Sequence, residues 1–477
     1  MSSNCVLSVG IDIGTSTTQV IFSRLTMENT AGYFSVPRVS IVEKEVVYKS
    51  PVHLTPLIDQ SLIDGDAVRE IVAGEFAAAG VTPADTGTGA VIITGESARK
   101  ENAALVLEKL SDFAGDFVVS TAGPDLESAI AGKGSGAARY SEETGEATVN
   151  LDIGGGTTNV ALFCDGEVAA RGCVDIGGRQ VRLAPDWTVT YLSGSAQKIA
   201  RFYHLPLETG QRAGPDALKA LCAAMAQLLE EMLGLSEPSP LLREVETPGS
   251  ARFAPPRPIR AVCFSGGVAD CIYRSGQDAL AFGDIGVLLG DAIRRGRLFS
   301  AFHVIPARET IRATVVGAGT YTTSISGSTI AYDEGLFPLK NIPVLRLSAE
   351  EQQRCFSGDR AFLEKKVRWF LSQSDSDRMV LAMEGKKSPS YGELRALAGA
   401  AGPALDAALA PGLPLILVVH SDMAKALGQT LKGLLPPSRP VIAVDSIRVE
   451  QGDFLDLGRP LMGGLVIPVV VKTLIFG

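Results

Sequence analysis

The sequence has few of the residues that build metal centres and redox sites. It contains 7 cysteines and 4 histidines in 477 residues, with no CxxC pair and no two neighbouring histidines. Cysteines scattered in this way through an acidic chain are typical of reduced, buried thiols. The spacing therefore argues against a structural zinc ion and against an iron–sulfur cluster.

Charge of one sign and long apolar runs are also scarce. The net charge is −9, and no dense block of lysine or arginine indicates a nucleic-acid partner. The apolar start of the chain lacks a basic region, so it predicts a strand rather than a signal peptide. The most apolar segment, 463–477, is too short to span a bilayer and contains Lys472. We therefore expect a cytoplasmic protein without a membrane partner, and a buried strand at 463–477.

What the chain does contain is a mixture of apolar strands and helical patterns. Its length is sufficient for about three domains, and its composition, 46% hydrophobic and 20% charged, is that of a globular protein. Residues 217–233 have the apolar spacing of a helix, and residues 414–447 have the strand–helix–strand pattern of a βαβ unit. These patterns predict an α/β fold.

The most informative feature is a repeated strand–loop–strand segment. The two copies are GIDIGTSTTQVIF at 10–22 and NLDIGGGTTNVALF at 150–163. A shift of 140 residues places Asp12 on Asp152 and Gly14 on Gly154. One glycine-rich turn is common, but two turns in matched register, each with an acid at the same place, indicate a shared function.

The composition of these loops suits a phosphate group and its metal ion. Glycine lets main-chain N–H groups approach an anion, and threonine and serine hydroxyls donate to phosphate oxygens. Mg²⁺ prefers one or two carboxylates together with phosphate oxygens and water. We therefore predict that Asp12 and Asp152 hold or orient Mg²⁺. The predicted phosphate-lining residues are Gly14, Thr15, Ser16, Thr17 and Thr18 on one side and Gly154, Gly155, Gly156, Thr157 and Thr158 on the other.

Three motifs, taken in order, resemble those of a known superfamily. DIGTSTTQV, LDIGGGTTNV and FSGGVAD are similar to the two phosphate motifs and the adenosine motif of the actin and sugar-kinase ATPase superfamily, over residues 6–295. The resemblance implies that ATP binds and that Gly266 and Gly267 pack against adenosine. It also implies that AGPDLESAIAGKGSGA contains a first connecting helix, where Asp125 or Glu127 orients water or metal. Acids in a first helical turn are also favoured by the helix dipole alone.

GDIGVLLGDAI, at residues 283–293, resembles the second connecting helix of that superfamily. The implied fold is α/β, with two duplicated actin-like (ribonuclease H-like) lobes and an additional C-terminal α/β region. We expect the first lobe at 1–147, the second at 148–300, and a C-terminal region at 301–477 that packs on or completes the ATPase core.

A more specific resemblance covers essentially the whole chain. The runs ITGESARKENA, CFSGGVADCIY and GDFLDLGRPLMGG, with the ending VIPVVVKTLIF, are similar to the EutA family of reactivating factors for ethanolamine ammonia-lyase. This resemblance implies a molecular chaperone that uses ATP and Mg²⁺ to release damaged cobalamin from the lyase, so that intact adenosylcobalamin can bind. It also implies that Thr94 belongs to the metal shell, although a helix N-cap is an equally good interpretation of that residue. A homo-oligomer and association with a bacterial microcompartment are compatible with this expectation.

Two further points remain open at the level of sequence. His420 and Asp422 follow an apolar strand, and helix capping is the more frequent role for residues in that position. The chain has no convincing counterpart of the catalytic lysine of chaperone-type superfamily members, so we expect ATP hydrolysis to be slow or to need the partner.

Three alternative functions use a similar cleft: a small-molecule kinase, an ATP-dependent electron-transfer activator, and an actin-like scaffold.

Overall fold

The described residues form two sheets of matching topology, a small two-stranded sheet and a larger seven-stranded sheet. A computed structural model describes residues 5–14, 17–29, 39–59, 62–94, 102–103, 105–106, 109–110, 118–121, 124–321, 324–326, 330–333, 335–373, 376–460 and 463–473. Within these ranges no helix has both the length and the apolar character needed to cross a membrane.

The first sheet is built around a central strand that is buried on both faces. Its strands are β1 (Cys5–Ile13), β2 (Thr17–Asn29), β3 (Val39–Lys49), β4 (His53–Leu54), β5 (Thr86–Ile93) and β6 (Val118–Thr121). The order is β3-β2-β1-β5-β6, with β4 paired to β2. Strands β1 to β3 are antiparallel, whereas β5 and β6 run parallel to β1. Helix α1 (Gly65–Ala79) covers one face and a short 3₁₀ turn (Pro83–Asp85) leads into β5.

The second sheet repeats this connectivity. Helices α2 (Pro124–Gly134) and α3 (Ala137–Thr144) precede it, and the strands that follow are β7 (Thr148–Ile153), β8 (Thr158–Cys164), β9 (Glu167–Val174), β10 (Val181–Leu183), β11 (Val189–Leu192), β12 (Ala261–Ser265) and β13 (His303–Ile305). The order is β13-β12-β7-β8-β9, and β10 pairs with β11. Thus β7, β8 and β9 correspond to β1, β2 and β3, while β12 and β13 correspond to β5 and β6. The duplicated α/β lobes expected from the sequence are confirmed.

The second lobe has a large helical core. Its helices are α4 (Gly194–Phe202), α5 (Pro215–Met232), α6 (Pro240–Val245), α7 (Ala269–Tyr273), α8 (Gly286–Arg295) and α9 (Leu298–Ala301). Helix α8 packs on α5 and α7, with Leu289 and Ile293 fully buried in this core. The expectation that GDIGVLLGDAI forms the second connecting helix is therefore wrong, because its apolar side is used inside the second lobe.

The helix that takes the connecting position is α10 (Ala313–Tyr321). Helix α2 packs on β7, β8 and β9, α10 packs on β1, β2 and β5, and the two helices pack on each other. Glycines allow this close crossing, since a Cβ on Gly134 would overlap the Ala313 carbonyl and one on Gly317 would overlap the Ile130 carbonyl. Residues 303–321 thus complete the two lobes, and we propose that the C-terminal region proper begins after residue 321.

The C-terminal region forms a seven-stranded sheet with its own core. Its strands are β14 (Ser324–Ile325), β15 (Leu339–Arg346), β16 (Val380–Met383), β17 (Leu415–Val419), β18 (Val441–Val444), β19 (Asp453–Leu457) and β20 (Pro468–Thr473), in the order β14-β20-β19-β15-β16-β17-β18. Its helices are α11 (Ala349–Phe356), α12 (Arg360–Ser372), α13 (Tyr391–Ala408) and α14 (Ala424–Leu434). The predicted βαβ unit is confirmed as β17–α14–β18, with its two strands parallel.

Candidate functional site

The repeated segments form two hairpins with the same geometry. Asp12 lies near the end of β1 and pairs with Gln19, and Asp152 lies near the end of β7 and pairs with Asn159. In each turn a glycine N–H donates to a threonine carbonyl at 2.9 Å, from Gly14 to Thr17 and from Gly154 to Thr157. The repeat read from the sequence is therefore a repeat in three dimensions. Each lobe presents one buried carboxylate at the start of a glycine-containing turn.

Hydroxyl groups from the neighbouring parallel strands and from helix α10 orient the two carboxylates. The Thr94 hydroxyl, just after β5, donates to Asp12 Oδ1 at 2.9 Å. The Ser265 hydroxyl, at the end of β12, donates to Asp152 Oδ1 at 2.6 Å, and Thr314 donates to Oδ2 at 3.4 Å. Thr94 thus lies beside Asp12, where a role in the metal shell requires it to be. The residues directly after Thr94, where a helix capped by it would begin, lie outside the described residues.

Burial dominates the electrostatics of the two acids. Asp12 is 8% exposed and Asp152 is 5% exposed. Burial raises the pKa of Asp12 to about 7 and that of Asp152 to about 6, and the hydroxyl hydrogen bonds oppose these shifts. The charge of Asp152 raises the pKa of Asp12 further, so the two carboxylates interact across the lobes. Two buried, mutually repelling carboxylates favour a cation between them.

The site also contains two amide side chains that were not predicted from the sequence. Gln19 and Asn159 lie opposite Asp12 and Asp152 on the second strands of the hairpins, and each is 2% exposed. Gln19 Oε1 and Asn159 Oδ1 find no hydrogen-bond partner among the described residues. Buried acceptors of this kind are normally satisfied by water or by a ligand. The 140-residue shift relates Gln19 to Asn159, and that signal could have identified both.

The predicted loop residues divide into two groups. Thr18 and Thr158 are completely buried, and their hydroxyls point into the protein, toward Thr55 Oγ1 at 3.1 Å and to the Ile176 carbonyl at 2.8 Å. We therefore propose that these two threonines hold the loops in position. The remaining described loop residues lie at the turns themselves, namely Gly14, Thr17, Gly154, Gly155, Gly156 and Thr157. Thr15 and Ser16 lie outside the described residues.

A glycine pair behind the second loop was also missed. The Gly178 N–H donates to the Gly154 carbonyl at 3.0 Å, and the Arg179 N–H donates to the Gly155 carbonyl at 2.7 Å. A Cβ on Gly177 would overlap the Gly155 carbonyl, so only glycine permits this contact. The double glycine at 177–178 was the available signal, because such pairs often mark close approach of two main-chain segments.

The predicted adenosine turn has two glycines with different environments. Gly266 is buried and has φ +86°, and a Cβ there would overlap the Ile153 carbonyl. Gly267 is exposed, and the nearest atom to a Cβ at that position is Ile311 Cδ1 at 4.0 Å. Gly266 thus fixes the turn against the end of β7, while the main chain at Gly267 is accessible to a ligand.

The acids of the first connecting helix are less well defined. Glu127 is 7% exposed and lies on α2, which touches the second sheet and α10. Asp125 belongs to the same helix, but its side chain is outside the described residues. A direct role of either acid in orienting water or metal therefore stays a prediction.

The capping role expected for His420 and Asp422 is wrong. The N-cap of α14 is Met423, which makes no side-chain capping bond. Instead, His420 Nδ1 lies 2.8 Å from Glu384 Oε1, and Arg448 Nε donates to His420 Nε2 at 2.9 Å. These residues lie after the carboxyl ends of β16, β17 and β18, away from the chain segments that carry the twin loops. The preference for capping failed because the helix begins later than the sequence pattern indicates.

All seven cysteines are free thiols, and five of them are buried. Burial raises the pKa of Cys263, Cys271 and Cys355 to about 11, so these thiols stay protonated at neutral pH. The expectation of free, buried cysteines is confirmed for these five, whereas Cys5 is exposed and Cys164 is partly exposed. Within the described part of the chain, no three His, Cys, Asp or Glu side chains form a cluster able to hold a metal ion.

The matched lobes, each with a buried acid at a phosphate-type turn, define a duplicated actin-like α/β protein. The chain belongs to the EutA family, since the profile of that family, described as "Ethanolamine utilisation protein EutA", matches residues 4–477. It is 37% identical to the ethanolamine ammonia-lyase reactivase EutA of Salmonella typhimurium over 488 residues, which cover 100% of both chains. It is 36% identical to the reactivase of the same name from Escherichia coli K12 over 484 residues, again 100% of both. Among solved structures, the Aquifex aeolicus PPX-GPPA enzyme is 12% identical with a TM-score of 0.41, covering 66% of this chain and 99% of that chain.

Proposed function

We propose that this protein is an ATP-dependent molecular chaperone that reactivates ethanolamine ammonia-lyase. It releases damaged cobalamin from the inactivated lyase so that intact adenosylcobalamin can bind. The observation that carries the proposal is the pair of buried carboxylates, one in each lobe, whose charges act on each other. The similarity to two reactivases along the whole chain supports the choice of target.

ATP and Mg²⁺ fit the residues present. Asp12 and Asp152 would hold the ion directly or through water, with Thr94 orienting Asp12. The orphaned oxygens of Gln19 and Asn159 would accept hydrogen bonds from water bound to the metal. When bound, Mg²⁺ neutralises phosphate charge.

The two glycine turns would grip the phosphates from opposite sides, and the main chain at Gly266 and Gly267 would pack against adenosine. Nucleotide can shift a protein between two states only through a difference in affinity for those states. The crossed helices α2 and α10 join the two lobes, so a change in the cleft would move one lobe relative to the other. We propose that the ATP and ADP states differ in this way in their affinity for the lyase.

The first experiment is a reactivation assay. Ethanolamine ammonia-lyase locked with cyanocobalamin is mixed with this protein, ATP, Mg²⁺ and free adenosylcobalamin, and deamination is followed. We expect activity to return only when all four additions are present. Failure to recover activity, with ATP still bound to the protein, would direct attention to the kinase or scaffold function. Light scattering with and without ATP then distinguishes those two.

The raised pKa values predict proton release on nucleotide binding. At pH 6 the Asp12 carboxyl, with a pKa of about 7, is mostly protonated in the free protein, and Asp152, with a pKa of about 6, is half protonated. Because a metal ligand must be deprotonated, binding of preformed MgATP at pH 6 should release about one to two protons, and close to none at pH 8.5. Titration calorimetry in buffers of different ionisation enthalpy counts these protons. Equal proton counts at the two pH values would contradict the assignment of the metal site.

A further inference from the structure

The chain after β3 forms a strap that crosses the first phosphate turn. We define this first strap as residues 50–55, which include β4. In β4, Leu54 pairs with Thr17 and His53 pairs with Thr18, so the strap lies against the strand that leaves the turn. The strap is also tied to the middle of β2, since the Ser50 N–H donates to the Val20 carbonyl at 2.9 Å and the Val20 N–H donates to Ser50 Oγ at 3.0 Å.

One side chain of the first strap reaches the turn itself. The Thr55 hydroxyl donates to the Gly14 carbonyl at 2.8 Å, and its oxygen lies 3.1 Å from Thr18 Oγ1. Since Thr55 uses its only proton on Gly14, the Thr18 hydroxyl is the donor in the second contact. Thr55 is 8% exposed, so this chain of hydrogen bonds is shielded from water.

The first strap is also connected to helix α1, through His53, and the preceding strand β3 reaches the same helix through Tyr48. His53 Nε2 lies 2.7 Å from Glu75 Oε1, and the Tyr48 hydroxyl donates to Glu75 Oε2 at 2.5 Å. Glu75 is 7% exposed and lies within α1. A displacement of the turn would therefore also displace the first strap, which is anchored to a buried residue of the first lobe.

The second turn is held differently at the corresponding atom. Gly154 corresponds to Gly14, and its carbonyl accepts the main-chain N–H of Gly178 at 3.0 Å. The carbonyl of Gly14 accepts the Thr55 hydroxyl instead. A main-chain donor is fixed by the fold, whereas a hydroxyl can turn about its side-chain torsions. At this carbonyl the first turn thus receives a side-chain donor, whereas the second turn receives a main-chain donor.

We propose that Thr55 is the positioning residue of the first phosphate turn. Its hydroxyl fixes the Gly14 carbonyl, and with it the main chain that follows Asp12. Without this hydroxyl, we expect the main chain of the first turn to become more mobile and that of the second turn to stay unchanged. The inference rests on the proposed function to the extent that the first turn binds nucleotide.

The test replaces Thr55 by valine, which keeps the branched shape and removes the hydroxyl. The matched control is Thr86→Val in the same lobe, where a hydroxyl of similar burial (9% exposed) donates to the Pro83 carbonyl at 2.6 Å, at the start of β5. Hydrogen exchange of the Gly14 amide is measured in the ligand-free proteins, and the Kd for MgATP is measured by titration. We expect exchange about tenfold faster and a Kd about tenfold higher for Thr55→Val, and changes within about twofold for Thr86→Val.

Unchanged Gly14 exchange in a folded Thr55→Val protein would overturn the proposal, as would equal effects of both substitutions. If Thr55→Val does not fold, Thr55→Cys keeps the size of the side chain with a much weaker donor, and the same criteria apply. The exchange measurement needs no nucleotide. A wild-type protein that fails to bind MgATP would therefore contradict the proposed function, while Gly14 exchange would still decide the role of Thr55.

Discussion

Asp152→Asn is expected to abolish nucleotide-dependent reactivation and, at the same time, to raise the melting temperature of the ligand-free protein. The first effect follows because an amide is a poor ligand for Mg²⁺. The second follows from the pKa of Asp152, which burial raises from 3.8 to about 6 in the folded state. A carboxyl with a raised folded-state pKa contributes stability below its unfolded pKa and loses that contribution as the pH rises through its folded pKa. Above pH 7 the buried charge is therefore a cost that the amide removes.

Asp12→Asn should behave in the same way, with a stabilising effect that keeps growing up to a higher pH, because burial raises the pKa of Asp12 to about 7. Calorimetry at pH 5 and pH 8, with and without MgATP, measures both effects. We expect an increase of a few degrees at pH 8 without ligand, a smaller increase at pH 5, and no further rise on adding MgATP.

Asp456→Asn is a matched control, since Asp456 is also buried but lies in β19, where it accepts the Asn341 N–H at 2.7 Å. That variant should keep the MgATP response. Wild-type reactivation by both Asp12→Asn and Asp152→Asn, with normal nucleotide affinity, would remove these acids from the metal site.

Substitutions at two adjacent glycines are expected to differ strongly in their effect on stability. Gly266→Ala should destabilise the protein by several kcal/mol, since φ is +86° and the added Cβ would overlap the Ile153 carbonyl. Gly267→Ala should leave the fold intact, because the nearest atom to its Cβ is 4.0 Å away. Both changes add one methyl group, so the comparison isolates the effect of position.

Chemical denaturation of the two glycine variants gives the comparison directly. We expect the midpoint of Gly266→Ala to fall well below that of the wild type, with reduced yield of folded protein, and that of Gly267→Ala to stay close to the wild type. Similar midpoints for the two variants would mean that the turn relaxes around an alanine at 266. In that case glycine would not be required at position 266 of the predicted adenosine turn.

Much of the candidate site is visible in contiguous sequence. The twin segments specify two hairpins, because the apolar runs, the acid and the glycine turn lie within about fourteen residues of each other. The sequence alone therefore places Asp12 and Asp152 at equivalent positions, and the same kind of local pattern predicts the βαβ unit at 414–447.

Other features of the site depend on residues far apart in the chain. Thr94 reaches Asp12 through strand order, Thr314 reaches Asp152 through the packing of helix α10, and Gly177 packs on Gly155 through loop packing. Local sequence does not specify which hydroxyls face the cleft. Thr18 and Thr158 point inward because each hydroxyl contacts a buried partner.

The sequence by itself determined the duplicated α/β organisation, the two acids and the glycine turns, because these are set by local periodicity and loop chemistry. Only the tertiary structure decided which helix crosses between the lobes. GDIGVLLGDAI has the amphipathic pattern of a connecting helix, but its apolar side is buried against α5 and α7. Helix α10 takes the crossing position because Gly317 and Gly134 allow two backbones to approach closely. That closeness is a property of the packed pair, and neither segment alone contains it.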